Sequence, residues 1–196
     1  MSYVDAVRRP PALLIGLILI GVLSGCASRP AGEEAPPAAS ADVADVPMGD
    51  SAARERAQSW LNAAVLPPGA VASATMPFTV FGFANQFYAW PCTPVAELTA
   101  YWTVAGANVT DAANWLIAHP TADLVVPVQM PIPEGTDVDM ASVGNVPDAD
   151  AQEGIVYTVA RMIDGVAIRA EIAALTESAS CPSLTPGEQL GGVGQG

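Results

Sequence analysis

Two runs of alternating apolar residues meet at a short turn near the C-terminal end, and no other stretch restricts the fold of this 196-residue chain as strongly. Ile155 to Ile163 and Val166 to Leu175 flank Asp164-Gly165, a pair that suits a type I′ hairpin turn. Closing the chain there sets Ile163 opposite Val166, Arg161 opposite Ile168 and Val159 opposite Ala170. Tyr157 then meets Ile172, and Ile155 meets Ala174. This face is apolar apart from Arg161. The other face, with Thr158 across from Glu171 and Ala160 across from Arg169, is mixed and reads as the wetter one. Side chains alternate with period two, so a slip of one residue would exchange the faces.

A hairpin needs cover, and two helical patterns upstream supply it. Ala53, Ala57, Trp60, Leu61 and Ala64 recur at helical spacing behind Asp50 or Ser51, either of which can cap, and Leu66-Pro67-Pro68-Gly69 stops the run. A second helix starts at Asn108 or Thr110, puts Ala112, Trp115, Leu116 and His119 on one face, and ends at His119-Pro120. Leu98 to Val104 alternates as a strand, Thr93-Pro94 before it can cap a short helical turn, and Ala70 to Thr75 is a short extended piece. Leu124 to Val128 reads as a further strand. Strand, helix and strand in so short a span imply a right-handed crossover with the two strands parallel. The expected fold is therefore α+β, a mixed sheet of about four or five strands with two helices on one face.

Two stretches fit neither period. Met76 to Trp90 holds Phe78, Phe81, Phe83 and Phe87 together with Tyr88 and Trp90. Such a run is either an aromatic platform for a ligand or partner or a loop that tucks its rings under the sheet, and the second reading is preferred. Gln129 to Glu153 reads as one long loop rich in proline and acids, and loops of that length in compact domains are functional or disordered. Past Cys181-Pro182, the Gly-rich residues 183–196 are expected to be a disordered tail.

The formal charge is −13, from 20 acids against 7 cations, and every one of those cations is arginine. A surface so negative repels nucleic acid and anionic headgroups, so a phosphate-tracking role is disfavoured. Absence of lysine also excludes a Ser-Lys dyad or a Schiff base.

Near the N-terminus, Arg8 and Arg9 precede the apolar run Ala12 to Leu23, followed by Ser24, Gly25 and Cys26. About 12 apolar residues are too few to span a bilayer as a helix, which takes about 20. A charged start, a short apolar middle and a small-residue end are the parts of an export signal. Leu23-Ser24-Gly25-Cys26 resembles the lipobox of bacterial membrane lipoproteins. The resemblance covers residues 1–26 only, and implies that residues 1–25 are removed and that Cys26 becomes the diacylated first residue of the mature chain. Two or three acyl chains hold in a membrane where one would not, each buried methylene contributing about 0.8 kcal/mol. The resemblance therefore implies a protein lipid-anchored on the extracytoplasmic side of the cell membrane.

Residues 27–50, with four prolines, five acids and no aromatic residue, then read as a disordered tether behind the lipidated cysteine. Residues 51–182 read as a single ectodomain. Cys92 and Cys181 remain, and outside the cytoplasm two thiols have one way to pair.

Candidate chemistry is thin. His119 is the only imidazole, no GxSxG is present, and one histidine with two oxidised cysteines cannot build a zinc site. No glycine fingerprint for phosphates or dinucleotides is present, and no cofactor is implied. Asp137, Asp139, Asp148, Asp150 and Glu153 offer hard oxygen ligands for calcium, but the second group puts Glu153 where an EF-hand needs glycine and Val159 where it needs glutamate. The leading expectation is a non-catalytic binding or interaction module of the cell envelope, not an enzyme, with another envelope protein as partner. The alternative is an envelope hydrolase working through carboxylates, with or without calcium. Convergence of Asp137, Asp139, Asp148 and Asp150 with the rings on one hollow would favour an enzyme or a ligand site, whereas a loop splayed into solvent over buried rings would favour a scaffold.

Overall fold

The structure is a computed structural model and describes residues 48–77, 81–127 and 129–194. The segment read as signal peptide, Cys26 and the tether up to residue 47 lie outside those residues, as do Phe78, Val128 and the last two glycine-rich positions. Helix α1 spans Met48–Asn62, starting slightly ahead of the Asp50 or Ser51 cap expected from the sequence. Asp50 falls in its first turn, where a carboxylate complements the helix dipole. Ala53, Ala57 and Trp60 are buried, as their spacing predicts. Strand β1 is Val71–Ser73, and α2 is a single five-residue turn, Phe81–Asn85, inside the aromatic stretch.

Strand β2 runs from Thr93 to Ala105, longer than the alternating core seen in sequence. The expected helical turn at Thr93-Pro94 does not form. Thr93 already pairs with Ser180, and the register shifts between Thr93 and Val95, where Pro94 has no N–H to offer a ladder. Helix α3, Val109–Ala118, is capped by Asn108, whose side chain accepts from Asp111 N at 2.8 Å. Strands β3 (Met140–Asn145), β4 (Gly154–Met162) and β5 (Gly165–Ser180) complete a sheet of order β1-β2-β5-β4-β3.

The class is α+β, with five strands, but every pairing is antiparallel. The expected crossover fails because the described part of the expected strand, Leu124 to Pro127, does not join the sheet as a strand. After α3 the chain turns sharply (Leu124 N donates to Thr121 O, and Asp123 has φ 64°), then pairs with the residue after β3 at an isolated bridge, Val125–Val146, rather than along a ladder. Pro127 and Pro131 then interrupt the chain on its way to β3. The long loop is also shorter than expected, because Met140–Asn145 inside it pairs with β4.

The hairpin of β4 and β5 forms with its turn one residue earlier than Asp164-Gly165 suggests. Met162 pairs with Gly165, Arg161 with Val166, Val159 with Ile168, Tyr157 with Ala170 and Ile155 with Ile172. Ile163 and Asp164 are the turn, and neither takes the positive φ that a type I′ turn requires. Each residue's partner has moved by two, so the faces stay as the pattern sorted them. Gly165 has φ 146°, and a Cβ on it would collide with Val104 O, so glycine serves the pairing with β2 rather than the turn tip.

On one face, Ile155, Tyr157, Val159, Val166, Ile168 and Ile172 pack under α1 and α3. Each such side chain contributes about 1.5–3 kcal/mol on burial. The other face is not wet. Val156, Thr158, Ala160, Ala167, Arg169 and Glu171 are all buried there, under the aromatic stretch and the returning C-terminal segment. That segment, expected to be free tail, lies against β3 at Val193, which is 1 % exposed. Cys92 and Cys181 are disulfide-bonded directly beyond the Thr93–Ser180 pair and clasp the ends of β2 and β5.

Candidate functional site

The second face of the sheet carries the densest chemistry among the described residues. Alternation along β5 sends Arg169 and Glu171 to that side, beside Thr158 on β4 and Thr99 on β2. Arg169 is fully buried and Glu171 nearly so. Such a pair persists only when its remaining donors and acceptors are met. The Arg169 guanidinium donates to Glu171 Oε2 (2.9 Å from Nε), to Thr158 Oγ1 (3.4 Å) and to the carbonyls of Phe83 and Gln86. Those two carbonyls are free because α2 ends there, as the last carbonyls of any helix are. The other Glu171 oxygen accepts from Tyr88 N at 2.7 Å.

The rings close over this pair. The guanidinium carbon lies 5.2 Å from the Phe83 ring centroid and 4.2 Å from that of Phe87, within cation–π range. Phe83 is buried with Ala160 and Ala167, whereas Phe87 is 52 % exposed. Tyr88 and Trp90 meet edge to face at 4.8 Å and pack with Val146, Val156 and Val193. Partial burial raises the Tyr88 phenol above its ordinary value, and a hydrogen bond to the Gly194 backbone opposes that rise. Among the described rings, the stretch is thus a lid pinned at its middle, with Phe83 inside and Phe87, Tyr88 and Trp90 along the rim. A cleft of about 140 Å³ remains between Phe87, Tyr88 and Trp90 and the β2 residues Glu97 and Thr99.

The acidic candidates do not join it. Asp137 and Asp139 both bind Arg161, the latter at 2.9 Å, on the exposed side of β4's end. Asp148 and Asp150 belong to the exposed turn before β4, where Asp150 N donates to Asp148 Oδ1 at 3.1 Å. The six residues of β3, about 20 Å of strand, separate the two pairs. Glu153 accepts from Arg56 at 2.9 Å and from Leu175 N at 2.6 Å, tying α1 to the sheet. No cluster of three or more metal-ligating side chains occurs among the described residues. The loop's first half is strapped to α3, since Asn114 exchanges two hydrogen bonds with the Ile132 backbone and Thr110 donates to Thr136 O.

Compared with known proteins, the chain matches no family model, no curated protein and no solved structure.

His119 stands as the C-cap of α3, exposed, its ring stacked 3.8 Å from that of Trp115 and its Nδ1 2.9 Å from Trp115 O. Its ring thus meets an indole and a backbone carbonyl, neither of them a nucleophile. Neither Arg169, Glu171 nor Glu97 stands out in the sequence as a site residue. The signal was there in one form: opposite charges two apart on a buried strand, in a chain whose aromatic stretch had no other place to go.

Proposed function

We propose that this chain is a lipid-anchored extracytoplasmic protein, held by acylated Cys26, whose ectodomain is a non-catalytic binding or interaction module of the cell envelope. The lipobox-like Leu23-Ser24-Gly25-Cys26 supports the anchor, and the Cys92–Cys181 disulfide fits an oxidising compartment. The observation that carries the binding reading is the division of labour among charges. Arg56, Arg161 and Arg169 each hold a carboxylate in a structural role, and the two acidic pairs of the long loop, Asp137 with Asp139 and Asp148 with Asp150, stand at opposite ends of β3. A hydrolase working through two carboxylates needs them within about 5–10 Å across one cleft. The partly exposed rings of the second face offer contact surface instead.

Two measurements test this. Cys26→Ala should move the protein from the membrane fraction to the soluble extracytoplasmic fraction, and persistence in the membrane would count against the acyl anchor. Crosslinking in intact cells should capture a neighbouring envelope protein on the ectodomain; a chain that crosslinks to nothing has no interaction to mediate.

A further inference from the structure

We infer that the outer edge of β2 receives an extended, cationic segment of a partner protein, with a lysine or arginine of that segment seated in the cleft of Phe87, Tyr88 and Trp90. This docking surface deepens the binding-module reading and rests on it. Strand β1 covers only Tyr101–Thr103 of β2. From Val95 to Ala100, β2 has β5 on one side and no strand on the other among the described residues. A bare edge of that length presents backbone N–H and C=O groups to any extended chain, the geometry of strand addition. Pro94 and the register shift beside it blunt the start of β2, yet neither reaches the open stretch.

A second observation falls on the same six residues. The aromatic cleft is walled by Glu97 and Thr99 of that open edge. Residues of an added strand point alternately to the two faces, so every second side chain of an incoming segment would meet the rings. Ring faces attract cations, and this lid already shows it with Arg169. Glu171 beneath the rings is fully engaged by Arg169 and by Tyr88 N. Glu97, exposed and in no ion pair among the described residues, is the carboxylate left at the rim. The chain's charge of −13 and its lack of lysine favour a basic partner over a second copy, which would bring like charge to the same edge.

The test uses the full chain in detergent and a fluorescent peptide alternating lysine and valine, read by anisotropy. A companion peptide carries the same charges with alternate backbone nitrogens methylated, so that it cannot form a ladder. The first peptide should bind and the methylated one should not, and Glu97→Gln, an exposed change that leaves the fold intact, should weaken binding roughly fivefold. Equal binding of both peptides, binding of neither, or indifference to Glu97→Gln would overturn the assignment. So would sedimentation showing a dimer that excludes the peptide. Crosslinks in cells that map to another surface would sink this edge while leaving the binding module standing, whereas absence of any crosslink sinks the module itself.

Discussion

At the scale of single residues, two buried polar groups decide how the sheet is closed. Arg169 is bound at every side, and removing it would strand Glu171 and the Phe83 and Gln86 carbonyls in a dry interior. Arg169→Ala should therefore lower stability by about 3–5 kcal/mol in urea unfolding, the usual cost of leaving a buried charge unpaired. Replacing both charges, Arg169→Met with Glu171→Leu, should recover a good part of that loss; a double variant weaker than the single one would show that the pair is worth more than its desolvation. Tyr157 is the other case. Burial, partly offset by its hydrogen bond to Thr121, pushes its phenol up to about 12 from an ordinary 10.0. A folded state that holds a proton more tightly than the unfolded one loses stability once the unfolded group ionises. The contribution is whole below pH 10 and disappears as pH rises through about 12. Tyr157→Phe should flatten the fall of stability with pH across that window, with Tyr88, raised in the same direction, leaving a residual slope. An unchanged slope would place the alkaline loss elsewhere.

At the scale of elements, β3 shows how a neighbour rather than a pattern makes a strand. A Cβ at Gly144 would collide with Val193 O, so the C-terminal segment can sit on β3 only because that position is bare. Gly144→Ala should release the segment and expose Val193, at about 1–2 kcal/mol for the lost burial. Limited proteolysis should then cut residues 183–194 faster while β4 and β5 stay protected, and an unaltered cleavage rate would mean the segment was never held there. Because that contact is tertiary, Ser142, Gly144 and Asn145 carry no alternation, and the strand was illegible in the sequence. Helices α1 and α3 were legible because Ala53, Ala57 and Trp60, and Ala112 and Leu116, have no reason to recur as they do except one buried face. The hairpin's faces were legible although its turn was misplaced, since a partner shift of two preserves period-two sorting. The parallel crossover failed where proline and a left-handed Asp123 turned the chain. The site was hardest to see. Arg169 and Glu171 look like solvent-facing residues until α2's terminal carbonyls and the Tyr88 N–H arrive from about 85 residues upstream.

At the scale of the whole domain, the sheet is covered on both sides by segments joined to it late or early in the chain, and long-range closure is what holds them. Strand β2 lies between α2 and α3 in sequence but pairs with β5, so the disulfide joins residues separated by 89 positions across the largest paired surface of the fold. In the chain-entropy account, closing a loop of that length restricts the unfolded ensemble enough to favour folding by about 4–5 kcal/mol. The native ladder from Val95 to Ala105 continues past the clasp and does not need it for register. Cys92→Ala with Cys181→Ala should therefore keep the fold, seen as native amide dispersion in mild buffer, and lower the unfolding free energy by about that amount. Self-repulsion from a charge of −13 adds to the strain on the unclasped chain, so added salt should restore part of the loss. A double variant as stable as the parent would show that the unfolded chain is already compact enough for the crosslink to cost it nothing. One that fails to fold at any salt would show instead that the clasp organises β2 against β5 rather than merely limiting their separation.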